Sequence, residues 1–237
     1  MNKVFTFWEG EMPAYIKLCM KSWDFPFVLL NYDNVNEYTN LQLDKIKKYG
    51  LPIQADIIRV HVLRDNGGYW LDADTIVVNG LPKENIFGYD IENREKISIG
   101  FLKTEKQSKW FKDWAEYQRK IYMNEMKPQT NRFWACMGND FIDDYVKQNT
   151  NILIGDKSLC LPEHYMIDDN DDWLKYQKFY FENDYHINDL RKDTKIIMLH
   201  NSWTPDWYKK LNENDVLNKS CTLSNFLNES INNNTSI

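Results

Sequence analysis

The chain has 237 residues, 43% hydrophobic and 27% charged, with a formal net charge of −6. That length suits one large α/β domain with a substantial core, and the acidic balance argues against a general nucleic-acid binder, which needs a basic footprint. Four widely spaced cysteines (Cys19, Cys136, Cys160 and Cys221) form no C-x-x-C pair, so they read as reduced thiols rather than a zinc site or a disulfide framework.

In chain order, Lys3 to Trp8 is a β-branched and aromatic run that reads as a first strand, stopped by Glu9-Gly10. A strand ending in a glycine loop is the usual opening of a nucleotide-binding α/β unit, and ligands bind beyond the C-terminal ends of such strands. Trp8 stands at that end, where a core tryptophan and a ligand platform are equally good readings. Pro13 opens a helix to about Ser22, Phe25 to Leu30 reads as a second strand, and Leu41 to Tyr49 as a short helix. A helix across Ala55 to Asp65 follows and stops at Asn66-Gly67-Gly68, where glycine tolerates the left-handed closing conformation. Tyr69 to Leu71 is strand-like, and Thr75 to Val78 resumes the strand pattern after Asp72-Ala73-Asp74. Ile97 to Leu102 is a further strand, and Gln107 to Met123 an amphipathic helix with Trp110, Phe111, Trp114, Tyr117 and Ile121 at core spacing. Met126 to Met137 is irregular. Gly138-Asn139-Asp140 leads into a helix to about Gln148, and Ile152 to Ile154 and Ser158 to Leu161 read as short strands. Asp168 to Asp172 is an acidic turn without the spacing of a calcium loop. Lys195 to Leu199 is the last strand and runs into His200-Asn201-Ser202-Trp203. Residues 1–227 are expected to form a single domain and the polar 228–237 a disordered tail. No apolar run has membrane-spanning length; the expected location is the cytoplasm, with peripheral contact at the inner face of the membrane left open.

The chemistry concentrates between Ala55 and Val78. Asp56 and Arg59, three apart on a helix, project from one face. Asp72 and Asp74 would share one side of an extended chain, where two carboxylates repel unless a cation sits with them. A hard divalent ion such as Mg²⁺ or Mn²⁺, often bound together with substrate phosphates, is the natural partner. An isolated D-x-D is more often an ordinary acidic turn; here flanking apolar runs, a G-G turn and a preceding Asp/Arg pair favour a metal–phosphate site. His200, at a strand end, reads either as a structural residue or as a metal ligand.

The blocks A-D-I-I-R and L-R-D-N-G-G-Y-W-L-D-A-D resemble the central motif of glycosyltransferase family 32 and of the related capsular polysaccharide synthesis transferases, and a similar block occurs in the large clostridial glucosylating toxins. The opening F-T-F-W-E-G and the late H-N-S-W are similar to the two ends of the same pattern, and Met137-Gly138-Asn139-Asp140 echoes its T-G-P segment. The resemblance implies a GT-A fold, that is, a Rossmann-like, mostly parallel central sheet flanked by helices. It implies a retaining, metal-dependent transferase that moves a hexose from a UDP-sugar to a glycan or lipid-linked glycan acceptor in capsule or lipopolysaccharide synthesis, with Mn²⁺ or Mg²⁺. By the same resemblance Asp56, Arg59, Asp72 and Asp74 carry the reaction, and Asp72, Asp74 and His200 hold the metal. Phe7, Trp8, Asp56, Arg59, Gly67, Gly68, Asp72, Ala73, Asn139, Asp140, Ser202 and Trp203 line the donor, with Trp8 stacked on uracil. A sugar-nucleotide hydrolase and a non-catalytic glycan-binding module are the alternatives.

Overall fold

The computed structural model describes residues 3–88, 97–127 and 135–234. In chain order the elements are β1 (Val4–Phe7), α1 (Ala14–Lys21), β2 (Val28–Leu30), α2 (Leu43–Ile46), α3 (Leu51–Asn66), β3 (Gly68–Leu71), β4 (Thr75–Val77), β5 (Ile86–Gly88), β6 (Ile97–Thr104), α4 (Lys109–Tyr122) and α5 (Asn139–Gln148). There follow β7 (Ile154–Asp156), α6 (Glu163–Met166), α7 (Asp172–Gln177), β8 (Ile196–Met198), α8 (Asp206–Lys209), α9 (Glu213–Leu217) and α10 (Thr222–Asn234). The chain divides into two compact units interleaved in sequence. The first comprises Met1–Glu9, Pro26–Asp72 and Glu84–Asp156; the second comprises Gly10–Phe25, Ala73–Lys83 and Lys157–Ile237.

The first unit carries a six-stranded sheet in the order β2-β1-β3-β6-β5-β7. Three of its five pairings are parallel (β1–β2, β1–β3 and β5–β7), so the expected mostly parallel α/β sheet is present. β6 runs antiparallel to both β3 and β5. All four residues of β1 are buried. α3 opens with Pro52 in its first turn and closes on Gly67, whose φ of +69° and N–H bond to the Leu63 carbonyl (2.8 Å) form the expected stop. Nine of its sixteen residues are buried, which marks a helix packed on more than one side rather than a surface helix. On α4 the aromatic stripe is core, as its spacing predicts: Trp110, Phe111, Trp114, Tyr117 and Ile121 are buried, and Trp114 stacks on Phe141 of α5 at 5.9 Å.

The second unit holds a two-stranded antiparallel sheet of β4 and β8, with α7 running on into a π turn over Lys178–Glu182. Two expectations are corrected. Ser158 to Leu161 is not a strand; Lys157–Leu159 is a 3₁₀ turn, closed by the Cys160 and Leu161 N–H groups on the Lys157 carbonyl (3.0 and 2.8 Å). The acidic turn is exposed at Asp168, Asp171 and Asp172, and the Asp171 side chain accepts the Leu174 N–H (2.9 Å) and caps α7. Asn228 to Asn234 continue α10, anchored where Leu223, Phe226, Leu227 and Ser230 are buried; residues 235–237 of the expected tail lie outside the described residues. β5 and α10 were not legible from the sequence pattern. The four cysteines are free and buried.

Candidate active site

The first unit gathers its chemistry at the C-terminal end of β3. Parallel pairing of Val4 with Tyr69 and Phe5 with Trp70 brings the end of β1 to the same sheet edge. Phe7 and Trp8 therefore stand level with Asp72. Phe7 is buried in the core, its ring 5.9 Å from that of Tyr32. Trp8 is half-buried, and its N–H bonds the Leu30 carbonyl at 3.0 Å.

Arg59 organises this edge. Its Nη2 lies 3.1 Å from Asp56 Oδ1 and 3.1 Å from Asp72 Oδ1. Nη1 donates to the Ile99 carbonyl, Nε donates to the Ala55 carbonyl at 3.4 Å, and the guanidinium lies 5.3 Å from the Trp70 ring centroid. The side chain is 5% exposed. A guanidinium has five N–H donors in a fixed fork, and four groups of the protein already engage it. Arg59 is therefore a clamp on two carboxylates.

Asp72 receives a further bond: Trp70 Nε1–H donates to Oδ1 at 2.8 Å. Both fixed contacts fall on Oδ1, while the side chain remains 34% exposed. Asp56 is more enclosed. Burial pushes its carboxyl up to about 7; Arg59 opposes the shift and Asp72 adds to it. Gly138 faces this carboxyl: a Cβ there would stand 3.4 Å from Asp56 Oδ2 and would strike Ile99 Cδ1 at 2.5 Å. The segment echoing T-G-P thus lies beside Asp56. Asn139 turns inward to donate to the Ile97 carbonyl, which makes it a brace, and Asp140 is half-buried in the first turn of α5.

Gly67 and Gly68 sit at the other end of β3. A Cβ on Gly67 would meet Lys106 N at 2.4 Å, and one on Gly68 (φ +98°) would meet the Lys3 carbonyl oxygen at 2.2 Å. Close backbone approach explains both glycines, and they do not line the edge that carries Asp72.

Asp72-Ala73-Asp74 is a turn, not the extended segment expected from the strand pattern. The reason is a change of sheet. Asp72 N–H makes a last bond to the Gly100 carbonyl (2.8 Å) in the first unit. In the second, the Asp74 carbonyl accepts the Leu199 N–H (3.1 Å). Ala73 between them is buried.

In the second unit, Asp74 Oδ2 accepts the backbone N–H of Asn201 at 2.9 Å. Asn201 Oδ1 in turn accepts the hydroxyl of Tyr15, which is buried on α1. The H-N-S-W loop is thus tied to Asp74 through Asn201. The His200 ring lies 4.3 Å from that of Trp203 and 5.7 Å from that of Tyr176. Burial pushes it down to about 4; His164 lowers it further and Asp172 opposes the shift. Ser202 is exposed and Trp203 half-buried. Tyr176, whose hydroxyl accepts the His200 N–H (3.3 Å) and lies 3.0 Å from Thr204 Oγ1, supports the loop from below.

The donor chemistry of Asp72 and Asp74 fits a hard divalent cation: each is a half-exposed carboxylate with one oxygen oriented by an N–H of the protein. Among the described residues no three His, Cys, Asp or Glu side chains gather as a preformed metal cluster. Sequence reasoning missed Trp70, Tyr15, Asn201 and Tyr176. Only Trp70 left a signal, since it precedes Asp72 by two on a strand and so shares its face.

Three comparisons bear on this geometry. The family model described as "Capsular polysaccharide synthesis protein" matches residues 1–219. No curated protein sequence matches the chain. Among solved structures, one described as "PaToxG Glycosyltransferase" is similar at 14% identity, covering 62% of this chain and 69% of that chain with a TM-score of 0.39; so slight a likeness carries no weight for the chemistry.

Proposed function

Because the chain belongs to the capsular polysaccharide synthesis protein family, we propose that it is a glycosyltransferase of surface-polysaccharide assembly, with a GT-A fold. It moves a hexose from a nucleotide sugar, a UDP-sugar by the resemblance of its motifs, to a glycan or lipid-linked glycan. The observation that carries this reading is the Asp56–Arg59–Asp72 array at the C-terminal edge of the sheet, with Arg59 buried and Asp72 partly open, where open α/β folds bind their ligands.

Each residue has a task within it. Arg59 fixes the two carboxylates, so neither must reorganise when substrate arrives. Asp56 Oδ1 is occupied by Arg59, and its Oδ2, which Gly138 leaves room to approach, accepts a hydroxyl of the donor. Trp8 offers an aromatic face for the base. Asp72 and Asp74 hold Mn²⁺ or Mg²⁺, and the resemblance adds His200 as a further ligand. The bound cation supplies Lewis-acid stabilisation of the charge that develops on the departing diphosphate. It also lets an acidic protein accept a polyanionic donor. The resemblance is to retaining enzymes: an acceptor hydroxyl attacks the anomeric carbon from the face that the diphosphate leaves. The carbon–oxygen bond to phosphate breaks with its electron pair, and the hydroxyl proton passes to the leaving phosphate oxygen. No protein nucleophile is assigned. Ser202 and Trp203, on the loop tied to Asp74, exclude water from the donor.

Asp74→Asn tests the reading. Asparagine Oδ1 still accepts the Asn201 N–H, so the melting temperature should hold while transfer with Mn²⁺ falls about 10²- to 10³-fold, the scale of losing one charge-stabilising group. Full transfer by the variant, or by the unaltered protein in excess EDTA, would overturn it. Nucleotide release followed with and without acceptor separates transfer from hydrolysis, and a thermal-shift screen of nucleotide sugars identifies the donor.

A further inference from the structure

We propose that a groove in the first unit, beside Asp56, is the acceptor subsite and that it takes a saccharide bearing a negative charge. The inference rests on the transferase reading for the word acceptor, but its binding chemistry stands on the groove alone. The groove has a volume of about 640 Å³ and is lined by Lys48, Tyr49, Asn124, Glu125, Lys127 and Cys136 among others. Sites for small molecules span roughly 300–1,000 Å³, so this one admits sugar residues.

Its position follows from the helices. Gln118 Nε2, on α4, donates to the Asp56 carbonyl at 3.0 Å. Ile121 follows about one turn farther along α4, and Asn124 stands just past the helix end at a φ of +61°, so the groove begins about one turn beyond the Gln118 contact with Asp56. Its inner wall is the buried Cys136, two residues before Gly138, the glycine facing the Asp56 carboxyl. Burial raises the Cys136 thiol, and Asp140 and Asp56 raise it further, as expected if it lies near both carboxylates.

The charge in the groove opposes that of the whole chain. Glu125 takes a two-pronged contact from Arg119, Nη1 to Oε1 at 2.8 Å and Nη2 to Oε2 at 2.7 Å; Arg119 also bonds Glu116, which has Lys120 at 3.9 Å, so two carboxylates are balanced by two cations. Among the described residues no carboxylate pairs with Lys48 or Lys127. Lys48 Nζ instead donates to the Tyr122 carbonyl (3.2 Å) and Asn124 Oδ1 (3.5 Å), and it stands 5.2 Å from the Tyr49 ring centroid. Two lysines without counter-ions in a chain of net charge −6 mark a place for an anion. Tyr49 adds an apolar ring with a polar tip, suited to the mixed surface of a pyranose. A uronic acid and a phosphorylated sugar share the required chemistry.

The test compares the full-length protein with its Lys48→Ala/Lys127→Ala variant by calorimetric titration. The probes are a glucuronate-containing disaccharide, a glucose phosphate and a neutral disaccharide, each with and without UDP and Mn²⁺. Both lysines are exposed, so the variant should melt with the unaltered protein; Lys48→Gln serves as a second, milder variant. Expected is tighter binding of at least one acidic probe than of the neutral one, with that preference reduced about tenfold in the double variant, as for a lost electrostatic contact, while UDP binding is retained. The tighter acidic probe identifies carboxylate or phosphate as the recognised group. Equal binding of acidic and neutral probes, or acidic binding untouched by the variants, would sink the proposal. Failure of UDP with Mn²⁺ to bind the unaltered protein, with the acidic preference intact, would instead overturn the donor reading and leave the groove standing.

Discussion

The two units hold their key aspartates by different means. In the first, Asp72 is fixed by charge: Arg59 bridges it to Asp56, and Trp70 adds an indole N–H. In the second, Asp74 is held by a backbone N–H from Asn201, 127 residues away, with Tyr15 bonding the Asn201 side chain. The first arrangement is built almost wholly within α3 and β3 and is rigid, because every arm of the guanidinium is committed. The second depends on where a loop from β8 comes to rest. Within the first unit an ion pair orients Asp72, and within the second a loop backbone N–H orients Asp74.

The largest expected effect comes from breaking the first arrangement. Arg59→Met leaves two carboxylates and the Ile99 carbonyl without their cation, and removing one partner of a buried charge cluster costs about 3–5 kcal/mol. Urea unfolding should show this as a lower midpoint at unchanged slope. A loss under about 1 kcal/mol would mean that the array is not the clamp described here.

The second unit is probed through Glu163, which lies beneath the Tyr176 network. Its side chain is buried, Tyr180 donates to its Oε2 at 3.1 Å, and burial pushes its carboxyl up to about 8. A raised carboxyl pKa means that the folded state binds the proton more tightly than the unfolded chain, so stability falls as pH rises from the ordinary carboxylate range through 8. Glu163→Gln cannot ionise and removes that loss. The variant should gain roughly 1–3 kcal/mol over the unaltered protein at pH 8 relative to the difference at pH 5. Melting curves at the two pH values decide it, and a pH-independent difference would refute the ionisation argument.

The smallest effect is expected at Tyr15. Tyr15→Phe removes the hydroxyl bonded to Asn201 and should cost about 1 kcal/mol, the usual value of one hydrogen bond. If the second aspartate depends on its loop, this change should lower transfer more than it lowers stability, whereas equal losses would make Tyr15 a packing residue only.

Local pattern was enough for a good part of this protein. Periodicity marked α4; the Asn66-Gly67-Gly68 stop marked the end of α3; apolar runs marked β1, β6 and β8. The spacing of Asp56 and Arg59 placed them together, because three residues on a helix return to one face. The pattern failed where the deciding partner is distant. β5 is three residues long and exists because β6 and β7 flank it. The polar residues from Asn228 are helical because Phe226 and Leu227 anchor α10. The Asp72–Asp74 segment follows a strand pattern, yet it turns because Asp72 closes one sheet and Asp74 opens the ladder of another.

By itself, then, the sequence determined which residues can do the chemistry, since carboxylate, guanidinium and indole groups are properties of the side chains and their short-range spacing is fixed by helix and strand geometry. Only the tertiary structure decided what each one does. It committed Arg59 inward to two carboxylates, assigned Gly67 and Gly68 to backbone packing, and brought Asn201 rather than His200 onto the Asp74 carboxylate. Those outcomes depend on partners tens of residues away, and buried hydrogen bonds and charges must find them wherever the fold places them.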